Sequence, residues 1–266
     1  MKLAACSAVI TGASAGIGRE LARQLAPRAK SMLLVARRRD RLEELKEQLV
    51  SAYPALIIEI AERDLSDLSQ TNELAQSFAA KRIDFLINNA GLGDIGSFAT
   101  AEPERILTQV QVNVLALTAL TRSVLPAMLT QRRGAILNVS SSAGFMPMAG
   151  FAVYAATKAY VTSFSEAIRA ETRGCGISVT TLCPGPVHTE FTNVADREGK
   201  MQRLGSEIFH VPVERVARAA LRAVERDRPL IIPGITMKVG MGISRLFPLA
   251  LLRAAARVGA TSLKSS

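Results

Sequence analysis

Residues Thr11–Gly18 read TGASAGIG. The run follows directly on an apolar segment, ACSAVIT, and leads at once into GRELARQLAP, a segment with helical spacing of its apolar residues. Glycines here allow a tight turn and let the backbone approach a pyrophosphate. The helix that follows presents free N–H groups and the positive end of its dipole to the same anion. A purely structural turn would use the same residues. The strand before, the helix after and the position at the start of the chain favour the dinucleotide loop.

Outward from this loop, short β-rich runs alternate with longer amphipathic ones. ACSAVIT, SMLLVAR, ALIIEIA, IDFLINN, GAILNVS, ISVTTLC and PLIIPG read as strands. Most are continuously apolar, as in a parallel sheet covered on both faces. Helix-length stretches separate them, including single helices expected over 103–132 and 151–173. The alternation predicts an α/β fold, a doubly wound parallel β-sheet of the Rossmann type with helices on both faces. No linker splits residues 1–236, expected to be one cofactor-binding and catalytic domain, and 237–266 stand apart as a basic C-terminal extension.

The 266 residues are 48% hydrophobic, with a formal net charge of +10. A basic chain suits nucleic acid, an anionic membrane or an anionic small ligand. No nucleic-acid motif accompanies the charge, so nucleic acid is not expected. Cys6, Cys175 and Cys183 lack metal-ligand spacing and read as reduced thiols of a cytoplasmic protein. The opening MKLAAC lacks an apolar stretch before its cysteine and reads as the approach to the first strand, not as a signal. No unbroken apolar run nears the ~18 residues of a membrane span.

The second strand ends in VARRRDR. An acidic residue at its end would bind a ribose 2′-hydroxyl. Here Ala36 is followed by Arg37 and Arg38, which suit a 2′-phosphate, so NADP(H) is the expected cofactor. A basic helix start on the surface is the alternative, but cations there oppose the helix dipole. Further along, YAATK places Tyr154 and Lys158 four residues apart, on one face of a helix. A free tyrosine titrates near ~10, and a nearby cation favours its phenolate. The pair therefore reads either as an incidental surface pair or as a proton-transfer device.

Several motifs stand in order: TGASAGIG, Asp64 in RDLSD, NNAG at 88–91, Asn113, the serines of NVSSSAG at 138–144, YAATK, and PGPVHT at 184–189. With this ordered set the chain resembles the short-chain dehydrogenase/reductase family in its single-domain form, over about residues 5–232. The resemblance implies that Tyr154 is the acid/base, and that Lys158 lowers its pKa and binds the nicotinamide ribose. It implies that Ser141, at the family spacing before Tyr154, binds the substrate oxygen, and that Asn113 completes a tetrad. It implies cofactor contacts from Gly12, Ser14, Gly16, Ile17, Gly18, Arg37 and Arg38, from Asp64 and Leu65 at the adenine, and from Asn88, Ala90 and Gly91. Pro184, Gly185, Val187 and Thr189 would pack against the nicotinamide. No metal is implied. Dimers or tetramers would form through the helices after the fourth and fifth strands.

The substrate, a carbonyl or alcohol, is expected between Leu92, Gly93, Phe145, Met146, Met148 and Pro186. The apolar FMPM run at 145–148 suggests a hydrophobic ligand. VADREGKMQRLGSEIF, 194–209, reads as a mobile lid. Asp94 is expected at the mouth of the site or as a solvated loop acid, Cys183 as packing, His188 as a loop residue and His210 as an exposed one. From Arg228 onward there is no acid, while Arg228, Lys238, Arg245, Arg253, Arg257 and Lys264 remain. LFPLALLRAAARV could pack on the body or a neighbouring subunit, or rest on the inner membrane surface. Two readings from other classes stay open: a catalytically silent NADP-binding redox sensor, and a peripheral membrane-associated binding protein.

Overall fold

The computed structural model describes residues 3–196 and 210–244. Seven strands form one sheet: β1 (Cys6–Thr11), β2 (Ala29–Ala36), β3 (Ile57–Glu62), β4 (Phe85–Asn88), β5 (Gly134–Val139), β6 (Ile177–Leu182) and β7 (Leu230–Ile231). Their order is β3-β2-β1-β4-β5-β6-β7, and every pairing is parallel. The strand order reverses between β1 and β4. The two chains leaving those strands diverge to opposite faces and open a crevice at the C-terminal edge.

Successive side chains of a strand point to opposite faces, and neighbouring residues here divide between two cores. Ile10, Leu34, Ile87 and Leu137 pack with Leu21 and Leu25 of α1 (Gly16–Leu25), Leu42 and Leu45 of α2 (Arg39–Ala52), and Val216 and Leu221 of α8 (Val213–Glu225). Val9, Val35, Leu86 and Ile136 pack on the other face. Their partners are Leu74 of α3 (Leu68–Ser77), Leu120, Val124 and Met128 of α5 (Leu117–Gln131), and Ile168 of α6 (Ala152–Glu171). Full burial of each such side chain contributes roughly 1.5–3 kcal/mol, so the two sandwiched cores hold the sheet edge rigid.

The stretch expected as one helix over 103–132 is α4 (Pro103–Val110), a π-helical turn (Gln111–Ala116) and then α5. Joined, Pro103–Gln131 is long and apolar enough by composition to cross a membrane, a match that run-by-run reading did not find. Here its Leu117, Leu120, Val124 and Met128 are buried against the sheet. Two short helices complete the described chain, α7 (Glu190–Ala195) and α9 (Ile235–Ser244). The boundary expected after residue 236 falls inside α9, whose Met237 is buried. The expected lid lies outside the described residues from 197 to 209, as does the tail from 245.

Candidate active site

The glycine loop is shaped by its neighbours. Gly12 (φ +66°) and Gly16 (φ +52°) take left-handed backbone conformations that side chains resist. A Cβ on Gly18 would lie 2.4 Å from the Gly12 carbonyl oxygen. The side chain that braces the loop is Asn89: its Nδ2 donates to the carbonyls of Thr11 (2.9 Å) and Gly12 (3.2 Å). Asn88, expected to face the cofactor, is buried and donates instead to Thr121 (3.0 Å) and Asn138 (2.9 Å). Sequence reading missed Asn89, because adjacent residues at a strand end point to opposite sides and the motif does not say which turns inward.

Beyond the loop, α1 begins at Ala15 with no side-chain cap and no acid in its first turn. Its free N–H groups face the crevice edge, and Ile17 packs on the first core. At the end of β2, Arg37 lies 3.8 Å from Asp64, and Arg38 donates to Ser14 Oγ (3.3 Å). Asp64 accepts from the backbone and hydroxyl of Ser66 (2.9 and 2.7 Å), while Leu65 is buried in the second core. An uncapped helix start, a left-handed glycine cradle and two arginines at the β2 edge fit a phosphorylated dinucleotide.

The acid/base candidates meet on the far side of the crevice. β5 delivers the serines. Ser140 is turned into α6, with its Oγ donating to the Lys158 carbonyl (2.7 Å). Ser141 is buried and accepts from the Ala143 amide (3.1 Å). Tyr154 and Lys158 come from the first turns of α6, where the Lys158 ammonium donates to the Val139 carbonyl (2.9 Å). Asn113 sits in the π turn. Its amide bonds both backbone groups of Leu92 (2.9 Å each) and Thr157 Oγ1 (3.0 Å), locking α6 to the loop after β4. Gly91 lies between Asn113 and Lys158: a Cβ there would be 3.3 Å from each polar group.

The electrostatics differ from the expected pattern. Burial pushes the Tyr154 phenol up to about 12, against a smaller downward pull from Ser141, and burial pushes Lys158 down to about 8. The ammonium stands 5.7 Å from the phenol ring centre. Burial disfavours the charged form of both groups. Aromatic rings contribute to it: the Phe191 ring of α7 lies 5.5 Å from that of Tyr154, and the Phe151 ring 6.1 Å.

The remaining expected residues surround this centre. Pro184 accepts from the Ser142 amide (2.9 Å), Val187 is buried in the first core, and Gly185 and Pro186 are half-buried. Thr189 packs on Gly16, where an added Cβ would meet its methyl at 3.2 Å. Ala90 and Leu92 pack against the second core. Gly93 is closed off by α7, since a Cβ there would lie 2.6 Å from the Phe191 ring. Met148 joins the cluster of Ile95, Ala143, Phe151, Tyr154, Ala195 and Phe191, with Phe145 and Met146 half-buried nearby.

Asp94 and His210 depart from expectation, while His188 lies in the loop between β6 and α7 as expected. Asp94 is neither solvated nor at an open mouth: it is buried and paired with Arg105 (2.7 Å). His210 is half-buried and stacks on His188, ring centres 4.1 Å apart. Glu190, which carried no signal in the sequence, pairs with Arg38 (2.8 Å) and Arg41, and these bonds hold its carboxyl below the usual range.

A family model, short chain dehydrogenase, matches residues 7–199. The chain belongs to the short-chain dehydrogenase family. It is therefore an oxidoreductase on a Rossmann-type fold. The NADP-dependent 3-hydroxy acid dehydrogenase YdfG of Escherichia coli is 35% identical over 217 residues, 79% of this chain and 86% of that one. A short-chain dehydrogenase from Sphingobium yanoikuyae, solved in complex with NADPH, is 30% identical with a TM-score of 0.80. That match covers 92% of this chain and 97% of the other. A bulky-bulky ketone specific alcohol dehydrogenase from Comamonas testosteroni is 28% identical, with a TM-score of 0.76 and coverage of 92% and 96%.

Proposed function

We propose that the chain interconverts a ketone or aldehyde and its alcohol with NADP(H), on a hydrophobic substrate. The observation that carries this is the burial together of Ser141, Tyr154 and Lys158 beyond the C-terminal end of β5, with the Lys158 ammonium bonded to the Val139 carbonyl. NADP(H) is supported by Arg37 and Arg38 at the β2 edge and by relatives described as NADP-dependent. A hydrophobic substrate is supported by the apolar cluster around Tyr154.

When bound, the dinucleotide supplies the hydride chemistry. The chain's residues manage the oxygen. Ser141 and Tyr154 together offer two hydroxyl hydrogen bonds to one carbonyl oxygen. With its phenol held up to about 12, Tyr154 keeps its proton at neutral pH and is loaded as an acid. Charge developing on the substrate oxygen takes that proton, and the Lys158 ammonium stands near the phenolate left behind. In the reverse direction Tyr154 accepts the alcohol proton.

Tyr154→Phe should leave NADPH affinity within about twofold in a fluorescence titration and lower turnover by about 10²–10⁴. Retained turnover on any converted ketone would remove Tyr154 as proton donor. A wild-type chain that binds NADPH but oxidises it with no carbonyl would point to a redox sensor.

We also propose a cytoplasmic homodimer or homotetramer that associates with the membrane surface through residues 237–266. The support is Leu107, Leu115 and Tyr160 exposed on α4, the π turn and α6, and the basic tail.

A further inference from the structure

Residues 190 and 191 join two sites that the sheet holds apart. Glu190 bridges Arg38 and Arg41, and Arg38 also donates to Ser14 in the glycine loop. The Glu190 carboxylate therefore sits beside the same guanidinium that the end of β2 presents to a 2′-phosphate. The next residue, Phe191, lies over Tyr154 and closes Gly93. The rest of α7 is held by packing: Phe191 and Ala195 lie in the apolar cluster with Ile95 and Tyr154, and the Ile95 amide donates to the Ala195 carbonyl (2.9 Å).

We infer that Glu190 is a specificity-determining residue. It holds Arg38 and Arg41 where a 2′-phosphate would. A dinucleotide carrying that phosphate takes the arginines from Glu190, whereas one lacking it leaves both ion pairs in place. This rests on the NADP(H) reading above and deepens it. A dianionic phosphate with three acceptor oxygens outcompetes a single exposed carboxylate for two guanidiniums. The competition costs affinity for every ligand with the phosphate and none for ligands without it. Because exposed ion pairs are individually weak, that cost is on the order of three- to tenfold.

Glu190→Gln keeps the size of the side chain and removes its charge. Calorimetry would compare wild type and variant with NADP⁺, NAD⁺ and adenosine 2′,5′-bisphosphate, which carries the phosphate without a nicotinamide. The variant should bind NADP⁺ and the bisphosphate about three- to tenfold more tightly, with NAD⁺ unchanged. Unchanged or weakened NADP⁺ binding by Glu190→Gln, or an equal change for both dinucleotides, would overturn the inference while leaving the cofactor reading intact. Wild type binding NAD⁺ as tightly as NADP⁺, and ignoring the bisphosphate, would instead overturn the cofactor reading and this inference with it.

Discussion

At the residue scale, Lys158 carries a consequence that is separable from catalysis. It is buried, and its ammonium has one protein acceptor, the Val139 carbonyl. Its pKa falls from an ordinary 10.5 to about 8 in the fold. The folded chain therefore holds a desolvated charge below pH 8, at a cost to stability that fades as pH rises from about 8 towards 10.5. Relative to Lys158→Met, wild type should gain about 2 kcal/mol between pH 7 and about pH 9.5, measured by urea unfolding. Tyr154 stays out of this window, because its raised pKa affects stability only above about 10. A gap that does not change with pH would mean the ammonium is solvated. The identity and order of Ser141, Tyr154 and Lys158 were legible in the sequence. The sign of the Tyr154 shift was not, because it depends on burial, to which Phe191, far along the chain, contributes.

Element-scale reading succeeded where an element is decided by its own residues. Seven β-rich runs, most of them continuously apolar, gave seven strands, since a strand buried on both faces needs nothing else. It failed at 111–116, because the segments on both sides are apolar enough to hide the one-residue shift that a wider turn introduces. It failed at α7 as well, where Glu190 finds Arg38 and Arg41 at sequence separations of 152 and 149. The π turn has a local cause to test. Asn113 bonds both backbone groups of Leu92 and also Thr157, all buried or half-buried. Asn113→Ala leaves the Leu92 amide without its partner, while Gln109 still donates to the Leu92 carbonyl (3.2 Å) and Thr157 to the Tyr154 carbonyl (2.8 Å). One such loss costs about 1–3 kcal/mol, so the variant should lose about that much in urea unfolding, alongside its activity. Lost activity with unchanged stability would assign Asn113 to chemistry alone.

For the whole molecule, a charge of +10 makes copies repel one another, so any association must be driven by apolar area. Leu107 is 68% and Leu115 49% exposed, on the helical stretch after β4. The basic residues from Arg245 onward are a separate feature. Deleting residues 245–266, which leaves α9 whole, should keep the number of subunits found by light scattering and abolish co-sedimentation with anionic liposomes. A fall in subunit number would place the tail between subunits. Equal sedimentation of both chains would end the membrane reading.

The π turn also says something about which changes in length the chain can bear. An α-helix advances about 100° per residue, and a π turn is one residue wider than the helix around it. Removing one residue from 111–116 would let the segment close into ordinary helix. Because the wider turn takes up one residue, Leu117–Gln131 would keep the orientation in which Leu120, Val124 and Met128 fill the core. The loss would fall on the turn itself, whose Asn113 amide bonds the Leu92 backbone and Thr157. The extra residue of this segment therefore serves the placing of Asn113, and not the packing of the 15-residue helix that follows it.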